Sequence, residues 1–183
     1  RKVYSDDMRE TENAHILIVD DILDNLQLLG TIVRDAGYQV SAASSGKEAI
    51  DYAVKTQPDL VLLDIMMPDM DGIETCRRLK ADTRTDDIPV IFITALDRIE
   101  DKVKAFEAGG VDFITKPYIR EEVKMRVQVH LRLRFAIQQV EKQARTDDLT
   151  GVFNRRAAYE LLKKHINLSR RENYSLVICY IDI

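Results

Sequence analysis

Five short strand-like runs that alternate with helix-like segments constrain the fold of this chain most strongly. The runs cover residues 15–19, 39–43, 60–63, 90–93 and 113–115, and between them apolar residues recur at spacings of three and four. Strands rich in apolar, branched residues are typical of sheets buried on both faces, and each parallel crossover needs a helix. The pattern predicts an α/β fold with a doubly wound, five-stranded parallel sheet.

A last helix extends beyond the length that a compact domain can bury. Residues 120–145 contain no Pro or Gly, and the apolar spacing of Val123 and Val127 continues to Ile137 and Val140. Such a helix would be about 40 Å long. A second copy of the chain is the simplest partner for its far end, which predicts a homodimer. A solvated helix with a weak apolar stripe stays open as the alternative.

A partial second α/β unit is predicted after this helix. Residues 146–151 are turn-rich, an amphipathic helix runs from Asn154 to about residue 168, and a strand-like run over 175–181 ends in Asp182. The chain begins at Arg1 rather than Met and stops inside an apolar run. We therefore expect the sequence to be a fragment of a longer protein.

The composition is that of a globular protein, with 45% hydrophobic and 32% charged residues. A net charge of -4 argues against a nucleic-acid-binding domain, because such domains are usually basic. No apolar run approaches the roughly 18 residues that cross a bilayer, and the first residues lack a signal-peptide core. Two cysteines without paired spacing fit reduced thiols. We expect a cytoplasmic protein that contacts no membrane and no nucleic acid.

Polar residues follow the ends of four predicted strands. Asp20 and Asp21 follow the first, Asp64 the third, Thr94 the fourth and Lys116 the fifth. Because the carboxyl ends of parallel strands meet at one edge of a sheet, these side chains should converge there. Three adjacent carboxylates repel one another unless a cation lies among them, and hard oxygen ligands suit Mg²⁺.

The same cluster suits phosphoryl transfer. Asp64 is the candidate nucleophile because it is central, and an aspartate can form an acyl phosphate. Lys116 would supply a fixed positive charge and Thr94 a hydroxyl for the phosphoryl oxygens. A single aspartate after a strand is more often a helix or turn cap, but capping does not require this set of residues at four strand ends.

The residues of this cluster lie in motifs that resemble the response-regulator receiver domain of two-component signalling. The matching stretches, within about residues 15–135, are LIVDD at 17–21, LLDIMMPDMDG at 62–72, ITA at 93–95 and FITKP at 113–117. The resemblance implies a flavodoxin-like fold in which Asp64 accepts a phosphoryl group from a sensor histidine kinase or a phosphotransfer protein. It further implies that Mg²⁺ is bound by Asp21, Asp64 and the backbone carbonyl of Met66. Thr94 and Phe113 would form the switch, and Phe113 cannot offer the hydroxyl of the Tyr found in many relatives.

A second resemblance covers the C-terminal part. DDLTGVFNRRAAYELL at 147–162 and LVICYIDI at 176–183 resemble the start of a GGDEF domain, the diguanylate cyclase family that makes cyclic di-GMP from two GTP. The resemblance implies that Asp182 and the backbone carbonyl of Ile183 hold a metal in the longer protein, where GTP would bind. The GG[DE]EF hairpin is absent from the sequence, so we expect no cyclase activity from this fragment.

These observations predict four segments: a polar leader at 1–14, a receiver core at 15–119, a signalling helix at 120–145 and a GGDEF fragment at 146–183. The leading hypothesis is a receiver whose phosphorylation controls the association of two GGDEF output domains. A phosphate-independent adaptor or a constitutive dimerisation module is the alternative. A metal-dependent phosphatase is disfavoured because Ile65 and Met66 follow Asp64, where such an enzyme carries a second carboxylate two residues on.

Overall fold

A computed structural model describes residues 13–95, 99–147 and 149–179. The chain divides into two compact units, Arg1–Phe135 and Ala136–Ile183. The strands of the first unit are β1 (His15–Val19), β2 (Gln39–Ala43), β3 (Leu60–Asp64), β4 (Val90–Thr94) and β5 (Asp112–Thr115). The helices of the chain are α1 (Leu23–Arg34), α2 (Gly46–Thr56), α3 (Gly72–Ala81), α4 (Ile99–Glu107), α5 (Arg120–Arg145), which crosses the division, and α6 (Arg155–Glu172).

The five strands form one sheet in the order β2-β1-β3-β4-β5, and every neighbouring pair is parallel. The predicted doubly wound sheet is therefore confirmed. The order reverses beside β1, because β2 lies on one side of that strand and β3 on the other. Residues at the carboxyl ends of β1 and β3 thus lie on the two sides of the point where such sheets bind ligands.

The strands are buried on both faces, which explains their nearly continuous apolar sequences. In β3, Val61 and Leu63 pack with α2, α3 and α4, whereas Leu60 and Leu62 pack with α1 and the first part of α5. All four side chains have 0% exposure. Complete burial of one such side chain contributes roughly 1.5–3 kcal/mol of stability. The strand that carries Asp64 is therefore held firmly from both sides.

The second unit connects the end of α5 to α6 through a short turn. Thr146 and Phe153 form an antiparallel bridge, and Asn154 begins α6 by accepting a hydrogen bond from the Ala157 N–H at 3.0 Å. The Asn154 amide also donates to the Ala144 carbonyl at 2.8 Å, and its backbone N–H donates to the Arg145 carbonyl at 2.8 Å. One residue therefore binds both helices.

The predicted strand over 175–181 is wrong for the part that the structure describes. Residues 174–179 have no regular secondary structure. A strand needs a neighbour to pair its backbone N–H and C=O groups, and the described part of this unit supplies none to that segment. Residues 180–183 lie outside the described residues. In the described ranges, no helix is both long and apolar enough to cross a membrane.

Candidate phosphoacceptor site

The predicted site residues meet at the carboxyl edge of the sheet, where β1, β3, β4 and β5 lie side by side. Asp64 is the last residue of β3 and pairs with Ile93 of β4. Thr94 ends β4, is buried, and its backbone carbonyl accepts the Lys116 N–H at 2.8 Å. Asp20 directly follows β1. The parallel register, rather than proximity in sequence, brings these residues together.

Three carboxylates form the centre of the site. Asp20, Asp21 and Asp64 each offer one oxygen, and these oxygens all lie within 4.8 Å of one another. Asp20 and Asp64 are buried, while Asp21 is exposed to solvent. Burial is the main cause that raises the pKa of Asp64, Asp20 and Asp21 raise it further, and Lys116 opposes the shift. Within the part of the chain that the structure describes, the site therefore concentrates negative charge that one side-chain cation balances only in part.

That cation is Lys116, whose Nζ lies 2.8 Å from Asp64 Oδ1 and 3.0 Å from Asp20 Oδ2. Burial alone would lower the pKa of Lys116, but its hydrogen bonds with Asp64 and Asp20 outweigh burial and raise the pKa. Lys116 follows β5 directly, and the Lys116-Pro117 peptide bond is cis. The lysine thus stays charged between the two buried carboxylates.

Tyr118 contributes a buried hydroxyl beside this lysine. Burial raises the pKa of Tyr118 to about 12, while the neighbouring Lys116 opposes the shift. Among the described residues, the hydroxyl has no hydrogen-bond partner of ordinary geometry. Tyr118 therefore stays protonated at neutral pH next to the site.

Sequence reasoning missed Asn25, which fixes the Asp20 carboxylate. The Asn25 amide lies 2.9 Å from both carboxylate oxygens of Asp20, and the Ile22 N–H donates to Asp20 Oδ1 at 2.9 Å. With Lys116, these groups surround the Asp20 carboxylate with donors. The available signal was a polar amide in the first turn of the helix that directly follows an acidic pair.

The loop after Asp64 is held close to the strand by Gly72. A Cβ atom on Gly72 would lie 2.1 Å from the Asp64 carbonyl oxygen, far inside any permitted contact. The Gly72 N–H donates to the Ile65 carbonyl at 3.0 Å, and Asp71 caps α3 by accepting from the Glu74 N–H at 2.7 Å. Glycine is required here because backbone packs directly against backbone.

Phe113 and Met66 are the remaining predicted residues that the structure describes, and their side chains are not part of the cluster formed by Asp20, Asp21, Asp64 and Lys116. Phe113 is the second residue of β5, and its ring packs edge-to-face against Phe106 of α4 at a centroid distance of 6.1 Å. Met66 lies in the loop after Asp64 with an exposed side chain, and the role of its carbonyl stays a prediction. Asp182 and Ile183 lie outside the described residues, so their predicted metal site also stays a prediction.

Known proteins are similar to this chain in sequence and in fold. A family model described as the response regulator receiver domain matches residues 16–128. Among curated proteins, RpaA of Synechocystis, named a DNA-binding dual master transcriptional regulator, is 43% identical over 129 residues, which are 70% of this chain and 54% of that protein. The response regulator PleD of Caulobacter vibrioides is 40% identical over 146 residues, which are 80% of this chain and 32% of that protein. The chain thus spans between about a third and just over half of these two relatives.

Solved structures agree with the sequence matches. A putative response regulator from Chloroflexus aurantiacus has a TM-score of 0.62 at 36% identity, covering 65% of this chain and 98% of that one. The receiver domain of the sensor histidine kinase PA1611 from Pseudomonas aeruginosa, solved with magnesium in its active-site cleft, has a TM-score of 0.61 at 28% identity, covering 65% of this chain and 98% of that one. The chain belongs to the response regulator receiver domain family.

Proposed function

We propose that Asp64 is the phosphoacceptor of a two-component response regulator and that Lys116 and Thr94 assist the transfer. The observation that carries this proposal is the Lys116 ammonium group, which lies within 3.0 Å of both Asp20 and Asp64. A nucleophilic carboxylate needs a cation beside it that can then bind the incoming phosphoryl oxygens. The donor would be a sensor histidine kinase or a phosphotransfer protein, as it is for the family.

In the proposed step, an Asp64 carboxylate oxygen bonds to phosphorus as the bond between phosphorus and the donor imidazole nitrogen breaks. The imidazole leaves with the electron pair of that bond, and Asp64 becomes an acyl phosphate. Lys116 would move its hydrogen bond from the Asp64 carboxylate to a phosphoryl oxygen. Thr94 at the end of β4 would supply its hydroxyl to another phosphoryl oxygen. Both residues stabilise charge that moves onto the phosphoryl group.

The acidic residues suit Mg²⁺, which prefers carboxylate oxygens and keeps some of its waters. Asp20, Asp21, Asp64 and the Met66 carbonyl are the proposed ligands. Three carboxylate oxygens within 4.8 Å support this choice, and exposed Asp21 leaves room for bound water. Buried Asp20 already accepts hydrogen bonds from Ile22, Asn25 and Lys116, so its contribution would be the more indirect one. The ion would neutralise phosphoryl charge during the transfer.

We further propose that α5 pairs with a second copy of the chain to form a homodimer. The buried residues Val123, Val127 and Leu131 pack on the sheet, while five other large apolar residues of the same helix are at least half exposed. The exposed residues recur every three or four positions and are Met125, Val129, Leu133, Ile137 and Val140. An apolar stripe of this length on an already packed helix is typical of a helix that also binds a partner.

The proposed output is a GGDEF diguanylate cyclase domain that begins in the second unit and binds GTP in a longer protein. The DxLT turn supports the proposal: the Asp147 carboxylate accepts hydrogen bonds from the Thr150 N–H at 3.0 Å and the Thr150 hydroxyl at 2.8 Å. Asn154 of the NRR motif caps α6. The division into segments 1–14, 15–119, 120–145 and 146–183 belongs to the same proposal. A cytoplasmic location also belongs to it and fits two free cysteines.

Phosphorylation and sedimentation test the proposal together. Acetyl phosphate with Mg²⁺ should add one phosphoryl group to the chain, located at Asp64 by mass spectrometry and lost in Asp64→Asn. The modified chain should sediment as a dimer. Leu133→Glu should accept the phosphoryl group but stay monomeric. The control Leu28→Glu alters an exposed leucine of α1 and should dimerise when it is phosphorylated.

Two results would count against parts of the proposal. Absence of modification at Asp64 would favour the phosphate-independent adaptor. An unchanged sedimentation profile after confirmed phosphorylation would exclude regulated dimerisation while leaving the phosphoacceptor role in place.

A further inference from the structure

The ring of Phe113 lies close to two positively charged side chains from different helices. Lys102 Nζ of α4 lies 4.4 Å from the ring centroid, and the guanidinium carbon of Arg126 of α5 lies 5.9 Å from it. Both distances are within the range of a cation–π interaction. Phe106 contacts the same ring edge-to-face, with an angle of 74° between the ring planes. The aromatic ring is therefore held between α4 and α5.

Arg126 is fixed beside the ring by ion pairs. Its Nη1 lies 2.8 Å from both carboxylate oxygens of Asp112, and its Nε lies 2.8 Å from Glu122. His130 also contacts the Asp112 carboxylate, at 3.0 Å. Asp112 is bound to the neighbouring residue as well, because it accepts the Phe113 N–H at 2.8 Å. The backbone of Phe113 and the cation near its ring thus share one anchor.

Lys102 should contribute more to holding the ring than Arg126 does. It lies closer to the centroid, whereas two carboxylates share the charge of Arg126. A partly exposed cation–π pair changes a conformational equilibrium by on the order of twofold to fivefold. This change is large enough to measure and small enough for a phosphoryl group to overcome.

We propose that Lys102 and Arg126 are positioning residues that hold the Phe113 ring in its place between α4 and α5 and so set the threshold at which the receiver switches. The inference rests on the proposed function and on the predicted switch role of Phe113, and it adds that the ring leaves this position when Asp64 carries a phosphoryl group. A ring that leaves this position loses its contact with both cations. Part of the free energy of phosphoryl binding is then used to break those contacts, and in the unphosphorylated chain the ring stays between α4 and α5.

Beryllium fluoride, a mimic of the acyl phosphate, provides the test. The full chain has five phenylalanines and can be labelled with 4-fluorophenylalanine, and Phe113→Leu identifies the Phe113 signal in ¹⁹F NMR. The fluorine shift is followed as beryllium fluoride is added with Mg²⁺. Lys102→Met removes the charge and keeps the stem, so its midpoint concentration should fall about twofold to fivefold. Lys102→Arg should stay near the wild type.

A matched control and a double-mutant cycle separate this role from a general change in charge. Lys55→Met removes a lysine from α2 and should leave the midpoint unchanged. In the Phe113→Leu background, followed by the remaining fluorine signals, Lys102→Met should have no effect, because the ring that it contacts is gone.

Two results would overturn the inference and can be told apart from failure of the proposed function. If the wild type binds beryllium fluoride but Lys102→Met leaves the midpoint unchanged, or Lys55→Met lowers it equally, the cations do not set the threshold and the phosphoacceptor role stands. If Asp64→Asn still responds, or the wild type does not respond, the proposed function fails, and the inference fails with it.

Discussion

A Cβ atom at Gly72 would lie 2.1 Å from the carbonyl oxygen of Asp64, so the loop that leaves the proposed phosphoacceptor packs directly against the residue itself. Gly72→Ala should destabilise the chain by about 1–3 kcal/mol, because backbone must move to accept the methyl group. It should also slow phosphorylation, since the movement displaces Asp64. Urea unfolding and acetyl phosphate labelling measure the two effects.

Gly30→Ala is the matched control for this substitution. The added methyl group would meet only the flexible end of Arg34, at 3.2 Å. Because alanine is favoured over glycine inside a helix, the variant should be unchanged or more stable by up to about 1 kcal/mol. Equal destabilisation of both variants would contradict the argument from close backbone packing.

Lys116→Met should slow phosphorylation of Asp64 by about 100-fold to 1000-fold, the range seen when one preorganised charge-stabilising donor is removed. The two buried carboxylates would lose their shared cation, which lies 2.8 Å from Asp64 and 3.0 Å from Asp20. The pKa of Asp64 should then rise further, because the group that opposes the effect of burial is gone. Time-resolved mass spectrometry with acetyl phosphate measures the rate. Lys47→Met on α2 should react at the wild-type rate.

Asn25→Ala should weaken Mg²⁺ binding by about 10-fold or more, because residues that orient a metal's ligands commonly have effects of this size. The Asn25 amide lies 2.9 Å from both oxygens of Asp20, and its loss frees the carboxylate to rotate. A Mg²⁺ titration followed by amide NMR shifts near residues 20–25 and 64–66 gives the affinity. Gln27→Ala, an exposed change on the same helix, should bind Mg²⁺ as the wild type does; matching affinities in the two variants would refute a role for Asn25.

The Asp112–Arg126 pair should make the stability of the fold vary with pH in the acidic range. Burial alone would raise the pKa of Asp112, but hydrogen bonds from Arg126, the Phe113 N–H and His130 outweigh it and lower the pKa. A carboxyl group whose pKa is lower in the folded state stabilises the fold above its unfolded pKa of about 3.9. The contribution is then lost as the pH falls through the folded-state pKa.

Asp112→Asn tests this linkage. The variant should be about 1–3 kcal/mol less stable than the wild type at pH 7, and the difference should shrink below a pH of about 4. Urea unfolding at several pH values measures both quantities. Asp51→Asn on α2 should match the wild type at pH 7, and a difference for Asp112→Asn that persists unchanged into acid would contradict the linkage.

The fold and the centre of the site could be predicted because both depend on patterns that are local in sequence. Successive residues of β3, such as Leu62 and Leu63, face opposite layers of helices, and this double burial explains the apolar run. Parallel pairing then places Asp20, Asp64 and Lys116 at one edge of the sheet, so their proximity can be predicted from the strand pattern alone. The strand bounds were predicted to within one residue because the apolar runs end where burial ends.

Other contacts could not be predicted because they depend on side-chain rotamers and on packing between helices. The contact of Asn25 with Asp20 depends on the angle at which α1 leaves the strand. The position of Lys102 over Phe113 depends on how α4 lies on the sheet. Residues 174–179 are apolar enough for a strand, but a strand also depends on a neighbour that the local sequence does not reveal.

The double attachment of Asn154 has a mechanical consequence. Because its amide binds the Ala144 carbonyl while its carboxamide oxygen caps α6, the turn between the helices has few free dihedral angles. A rotation of the end of α5 about its axis should therefore turn α6 with it. Slow amide hydrogen exchange at residues 145–157, and its acceleration in Asn154→Ala, would measure that stiffness.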